Sequence, residues 1–336
     1  MKTDLKGRFK GKKILVTGGT GTIGSILVRW LVDDGADVLA VSLDNDERAR
    51  AVLPEAASFR RADLRNYDAC LDAARGREYV FHLTAIKGST QRGNSNVARA
   101  YTSFILCNTN MMEAAFRAGA SRYLFVGSIG EYPPVPLRRE DEMWNGAPEA
   151  NDRYMGIAKR AGEIQAEAYS LEYGWDATRI IRLSNVYGPY DDFDPASAHV
   201  IPALIHRMTH GENPVHVAGD GSAVRDFIYS EDAVLGALLA IEYAPPCTPI
   251  NIGSGLGVTI REVAETIADL MPVRPSISWD TGRPTGDSVR VLDVERAKKL
   301  LGFRTPTALQ DGLKKTIEWY ISNKNLADRR GRELHG

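Results

Sequence analysis

The apolar positions of this chain change period repeatedly along its length. Five runs stand out: KILVT (13–17), DVLAVS (37–42), YVFHL (79–83), RYLFVG (122–127) and ATRIIRL (177–183). Each is nearly continuous in apolar character, as a strand covered on both faces must be. Between them the apolar spacing shifts to three and four over 23–34, 96–118 and 154–173, the pattern of amphipathic helices. Strands alternating with helices predict an α/β fold, a Rossmann-type doubly wound parallel sheet.

After Leu183 the pattern becomes irregular. SNVYGPYDDFDPASAHVIP is rich in Pro, Asp and Ser and too long for a plain connection, so a loop-rich region over the sheet is expected. A strand-like DFIY then leads to Ser230, an expected N-cap for the helix EDAVLGALLAIEY. PINIGS reads as a returning strand, and TPTALQDGLKKTIEWYISNK as a last amphipathic helix. The expected division is a dinucleotide-binding unit over 12–183 plus about 226–255, and a smaller C-terminal substrate-binding cap over about 184–225 and 256–325. The tail 326–336 is expected to fray.

Composition narrows the partners. The 336 residues are 43% hydrophobic and 25% charged, enough for a sizeable core, and the formal net charge is −1. That balance gives no general attraction to nucleic acid or to a membrane surface, so an anionic ligand must be held by local donors. Cys70, Cys107 and Cys247 lack metal-like spacing and read as reduced thiols; no metal is expected. The basic opening MKTDLKGRFKGKK is followed by ILVTGG and not by a long apolar run, which argues against a signal peptide and for the cytoplasm.

The first candidate chemistry lies in KILVTGGTGTIGSILVRWL. Gly18, Gly21 and Gly24 follow a strand and open a helix, the context that gives a glycine triplet meaning. The first allows a tight turn, the second lets backbone N–H groups approach a pyrophosphate, and the third lets helix and strand pack closely. The helix N-terminus favours the anion. At the end of the second strand, VLAVSLDNDERAR offers Asp44 to a ribose 2′-hydroxyl, which selects NAD, or Arg48 and Arg50 to a 2′-phosphate, which selects NADP. The reading leans to NAD through Asp44. Asp63 and Leu64, in RRADLRN, follow the third strand-like stretch, where an adenine contact is expected.

TGGTGTIG, ADLRN, FHLTA, FVGSIGEYP, MGIAK and RLSNVYGP occur in the order seen in the extended short-chain dehydrogenases/reductases, the NAD-dependent epimerases/dehydratases. The resemblance runs from about Lys13 to Tyr320. Within that family NVYGPYDDFDPASAHVIPALIHRM and WDTGRPTGDSVRVLDVERAKKLLGF look most similar to the GDP-fucose synthases, the GDP-4-keto-6-deoxymannose epimerase/reductases. The resemblance implies an NAD(P)-dependent enzyme acting at or beside C4 of a nucleotide-diphosphate sugar, with a GDP-sugar favoured, and a homodimer built on the lysine-bearing helix and the one before it. Tyr101, Phe104, Ile105, Met112, Ile164 and Tyr169 lie on those helices and could supply its apolar surface or face the sheet. The resemblance further implies cofactor contacts at Thr22, Ile23, Leu83, Ala85, Lys87, Asn108 and Lys159. Ser128 matches the catalytic serine and Lys159 the lysine that holds the nicotinamide ribose. Asn185, Arg207, Arg225, Arg283 and Asp287 match positions around the sugar nucleotide, joined by Ser128 and His199.

Two departures stand out. The family tyrosine lies four residues before the lysine, on the same helix face; here Met155 holds that position and Tyr154 stands five before Lys159. Four residues offset a side chain by about 40° and five by about 140°. A π-bulge eased by Gly156 could return Tyr154 to the site. Alternatively Met155 replaces the tyrosine, which leaves the proton to another group because methionine carries none. A third reading is an engineered or degenerate inactive form, a dinucleotide- or sugar-nucleotide-binding relative that lost the catalytic tyrosine. The other departure is Gly130, which stands where the GDP-fucose synthases have a cysteine paired with the histidine matched by His199. Glu131 beside it could supply a carboxylate in its place, or sit solvated in a loop.

Overall fold

The computed structural model describes residues 5–85, 97–282 and 288–328. The first strands and helices follow the sequence pattern closely: β1 (Lys13–Thr17), α1 (Thr22–Asp33), β2 (Asp37–Ser42), α2 (Asp46–Val52), β3 (Ser58–Arg61), α3 (Tyr67–Ala74), β4 (Tyr79–His82), α4 (Val97–Arg117) and β5 (Arg122–Ser128). A short β6 (Leu137–Arg138) precedes α5 (Arg153–Tyr173), β7 (Thr178–Leu183) and β8 (Asn185–Tyr187). The rest comprises α6 (Val200–Thr209), β9 (Val215–Ala218), β10 (Val224–Tyr229), α7 (Ser230–Tyr243), β11 (Pro249–Ile252), β12 (Gly257–Thr259), α8 (Ile260–Asp269), β13 (Ile277–Asp280), β14 (Val289–Leu292), α9 (Glu295–Leu301) and α10 (Leu309–Ser322).

Seven strands form one sheet in the order β11-β7-β5-β4-β1-β2-β3, every neighbouring pair parallel. The chain leaves β1 for β2 and β3 on one side and returns for β4 on the other. The crevice at that reversal, outside the carboxyl ends of β1 and β4, is where open α/β sheets bind ligands. One face of the sheet is covered by α1 and α7, with Leu27, Val28, Leu31, Val234 and Leu238 fully or nearly fully buried. The other is covered by α3, α4 and α5 through Cys70, Met111, Met112 and Ala166. The Cβ of Ser230 belongs to the first residue of α7 and Tyr229 precedes it as cap, so the expected serine cap is displaced by one residue.

The long stretch after Leu183 is not a plain loop: it carries β8, α6 and β9. A separate core of Phe193, Ile201, Leu204, Phe227, Val263, Leu313 and Tyr320 holds α6, α8 and α10 together. A second sheet, β12-β10-β14-β6 with β8 on β10, and the pair β13-β9 lie in this part of the molecule. Ala297 and Leu301 of α9 join the core of the large sheet, although α9 falls within the stretch expected to form the cap. Among the described residues no helix is long and apolar enough to cross a membrane.

Candidate active site

The glycine turn has the geometry its spacing implies. Gly18 sits at φ +66°, and a Cβ there would stand 3.0 Å from the Leu83 carbonyl oxygen. A Cβ on Gly24 would fall on the Gly18 carbonyl oxygen, so the helix can approach the turn only through glycine. Gly21 precedes α1 as its cap, with no side chain on the cap position to occupy the first N–H groups. Thr22 and Ile23 form the first turn of α1. The Thr22 hydroxyl donates to Asp191 Oδ1 at 3.2 Å, tying the turn to the segment after β8.

Asp44 is fastened to this turn. Thr20 Oγ1 donates to Asp44 Oδ2 at 2.5 Å and meets Ser42 Oγ at 2.9 Å, while the Asp44 N–H donates to Ser42 Oγ at 3.1 Å. Arg48 turns elsewhere: it is buried and its Nη1 donates to the Leu326 carbonyl at 3.4 Å. Asp63 is clamped by Arg65, whose guanidinium hydrogen bonds hold its carboxyl below the usual range, and Leu64 is buried under it. Beyond β4, Leu83 is half-buried and Ala85 exposed; Lys87 lies outside the described residues. His82 is fully buried between Thr17 Oγ1 at 2.9 Å and Asn108 Oδ1 at 3.0 Å, and burial lowers its pKa to about 4. Asn108 Nδ2 is buried with no partner among the described residues. A cradle closed to Cβ atoms, a carboxylate at the end of β2 and an orphaned amide deeper in the crevice fit a dinucleotide.

Ser128 ends β5, and the following turn is built as a capping box. The Gly130 N–H donates to Ser128 Oγ at 3.1 Å, and the Ser128 N–H donates to the Glu131 carboxylate. Glu131 is therefore not a solvated loop residue: it is fully buried. Burial, and next the charge of Glu163, hold its carboxyl well above the usual range against the pull of Arg182 and Lys159. Arg182 bridges the pair, bidentate on Glu163 at 2.7 and 2.8 Å and 3.8 Å from Glu131 Oε2. Arg160 closes the same turn by donating to the carbonyls of Glu131, Met143 and Gly146. Lys159 Nζ donates to the Val126 carbonyl at 2.6 Å, and burial lowers its pKa against the opposing charges of Glu131 and Glu163.

The helix bearing Lys159 is continuous over Arg153–Tyr173, with the Gly156 N–H donating to the Asp152 carbonyl at 2.7 Å. No π-bulge resets the register. Tyr154 is 49% exposed and packs edge-on against Tyr101 at 6.4 Å, while Met155, in register with Lys159, is half-buried. Gly156 serves close packing instead: a Cβ there would stand 2.6 Å from the Gly130 carbonyl oxygen.

A residue that the spacing argument passed over stands beside Gly130. A Cβ on Gly130 would meet Asp152 Cβ and Cγ at 3.2 Å and Oδ2 at 3.4 Å. Asp152 Oδ2 accepts from Arg290 Nη1 at 2.7 Å, and Glu149 is ion-paired with both Arg290 and Arg138. Burial raises the Asp152 pKa, opposed by the nearby charges of Arg138, His199 and Arg225. His199 is exposed at the N-cap of α6. Asp152 thus packs against the serine turn at Gly130 and lies within the electrostatic reach of His199 and Arg225. Arg290 and Glu149 carry no motif of their own. The buried Arg182 is different, because an arginine within the apolar run TRIIRL demands a carboxylate partner, which Glu163 supplies.

Other expected substrate residues are more committed. Asn185 Nδ2 donates to the Asp226 carbonyl at 2.8 Å, helping join β8 to β10. Arg207 is paired bidentately with Glu212, its Nε at 2.7 Å, so it braces the end of α6. Arg225 is partly buried and donates to the Val224 carbonyl at 2.8 Å. Arg283 and Asp287 lie outside the described residues.

Comparison with known proteins identifies the family. The family model described as NAD dependent epimerase/dehydratase family matches residues 14–253. The chain is 30% identical over 321 residues to GDP-L-fucose synthase 1 of Arabidopsis thaliana, covering 94% of each. The UDP-glucose 4-epimerase of Thermotoga maritima, solved with UDP-glucose, superposes with a TM-score of 0.79 at 30% identity, covering 93% of this chain and 99% of that one. The dTDP-glucose 4,6-dehydratase DesIV of Streptomyces venezuelae, solved with NAD, gives 0.80 at 25% identity, over 93% and 98%.

Proposed function

The chain belongs to the NAD dependent epimerase/dehydratase family, and on that premise we propose that it acts at or beside C4 of a nucleotide-diphosphate sugar, with NAD as cofactor. It is an NAD(P)-dependent enzyme of the extended short-chain dehydrogenase/reductase type, within a group that works on nucleotide sugars. The 30% identity to a GDP-L-fucose synthase supports a GDP-sugar. The preference for NAD rests on Asp44, tied to the glycine turn through Thr20, while Arg48 is turned away.

When bound, the dinucleotide supplies a hydride acceptor or donor at its nicotinamide. The protein's own residues divide the remaining work. Lys159, half-buried on α5 with its ammonium group at β5, orients the nicotinamide ribose, and Ser128 polarises the reacting oxygen. The single observation that carries the proton assignment is the meeting of Asp152 with the Gly130 turn, where the charge of His199 also reaches it. A carboxylate and an imidazole on two sides of a sugar can take and return a proton without the tyrosine. Asn185 and Arg225 serve the diphosphate end, a task suited to amide and guanidinium groups.

A homodimer through α4 and α5 is part of this proposal. Phe104 and Met112 are buried in the subunit and take no part. Leu106, Ile157, Ile164 and Leu171 leave an exposed apolar stripe on the two helices, with Leu171 80% exposed.

The second reading, a binding protein without chemistry, draws on Met155. Calorimetry separates the two: NAD first, then GDP-, UDP- and dTDP-sugars added to the NAD complex. The proposal expects one of the sugar nucleotides to bind and to be converted; NAD binding with no sugar nucleotide bound contradicts it.

A further inference from the structure

At the far end of α6 from His199, two histidines four residues apart share one helix face. The rings of His206 and His210 stack with centroids 4.1 Å apart. Asp328, which follows α10, reaches both: its Oδ1 lies 3.5 Å from His206 Nδ1 and its Oδ2 lies 3.6 Å from His210 Nε2. One nitrogen from each ring and one carboxylate oxygen lie within 4.8 Å of one another, in a hollow also lined by Asp194.

The surrounding hydrogen bonds fix how these rings present themselves. His210 Nδ1 lies 2.8 Å from the His206 carbonyl, which can only accept. The proton is therefore on Nδ1, and the Nε2 lone pair faces Asp328. Tyr320 donates its hydroxyl proton to Asp328 Oδ1 at 2.6 Å and lies 2.9 Å from His206 Nδ1, the nitrogen that also approaches Asp328. A bond of this kind, from the Nδ1–H of His210 to a carbonyl, orients an imidazole for metal binding through its other nitrogen.

We propose that His206, His210 and Asp328 bind one divalent transition-metal ion of the zinc class, with water completing the shell. Two neutral imidazoles and a carboxylate suit such an ion by ligand type. The separation of 3.6 Å between His210 Nε2 and Asp328 Oδ2 is close to the edge, roughly 3.4 Å, of a tetrahedron with metal–ligand bonds near 2.1 Å. The site braces the segment after α10 against α6. Its histidines lie about 10 and 16 Å along the helix from His199, being seven and eleven residues on at about 1.5 Å each. It is thus separate from the proposed chemistry. The spacing in HRMTH carried no metal signal by itself because the third ligand comes from the end of the chain.

The test is calorimetric titration of the untagged, chelator-treated full chain with zinc chloride, repeated with cobalt(II) and read by visible absorption. One equivalent is expected to bind in the micromolar range, to give a tetrahedral cobalt spectrum and to raise the melting temperature. His210→Gln and Asp328→Asn should each weaken binding at least tenfold, while His216→Gln, on an exposed strand position, should not. Melting without metal shows that each variant is folded. Absence of saturable binding by the wild-type chain, or equal affinity in both folded ligand variants, overturns the assignment.

Discussion

Tyr154 and Lys159 stand on different faces of one unbroken helix. The tyrosine is half exposed beside Tyr101, while the lysine is half-buried with its ammonium group on the Val126 carbonyl. Tyr154 thus does not share the helix face of Lys159. Tyr154→Phe is therefore expected to leave turnover of the nucleotide sugar within about threefold of wild type. Lys159→Ala should lower it by 10²–10⁴-fold, roughly the range for loss of a positioned catalytic group. Steady-state rates of the two variants check both.

Asp44 sets the second prediction. Its carboxylate is held at the glycine turn by Thr20. It would repel a 2′-phosphate there. Asp44→Ser is expected to reduce the preference for NAD over NADP by at least about tenfold, equivalent to about 1.4 kcal/mol. Fluorescence titration with each dinucleotide measures it; an unchanged ratio would place the adenosine ribose elsewhere.

His82 gives a pH dependence whose sign is fixed. Burial depresses its folded pKa to about 4, while an unfolded histidine titrates near 6.5. The neutral ring therefore contributes stability that is fully present above about pH 6.5 and is lost as pH falls toward 4. The difference amounts to about 3 kcal/mol. Urea unfolding at a series of pH values should show that slope in the wild-type chain. In His82→Gln, which keeps hydrogen-bonding capacity without the titration, the slope between pH 6.5 and 4 should flatten by about one proton.

The apolar stripe on α4 and α5 makes the fourth prediction. Ile164 is 51% exposed at the middle of α5. Ile164→Asp should convert a dimer to a monomer in sedimentation, with little change in the monomer's melting temperature. A wild-type chain that sediments as a monomer refutes the interface.

Much of this was legible in the sequence because it depends on local periodicity. The glycine turn, the ends of β1, β2 and β5, and the register of Met155 with Lys159 all follow from spacing within one or two turns. What the spacing missed depends on groups brought together across the chain. Asp152 meets Gly130 only because α5 packs its first turn against the serine turn, and Arg290 reaches it from β14. Glu131 read as a loop carboxylate because nothing nearby in sequence announces Arg182 and Glu163, its partners from β7 and α5. Arg207 was expected at the substrate because its pairing with Glu212 is set by the turn after α6.

The central claim is that Asp152 and His199, not Tyr154, handle the proton during hydride transfer to or from a nucleotide sugar. The most direct measurement is single-turnover absorbance of the enzyme-bound nicotinamide at a range of sugar nucleotides, in wild type, Asp152→Asn, His199→Gln and Tyr154→Phe. The account predicts a change in nicotinamide redox state with one of the sugars, retained in Tyr154→Phe and slowed at least 10²-fold in the other two while sugar binding persists. Loss of the signal in Tyr154→Phe with full retention in Asp152→Asn would contradict it.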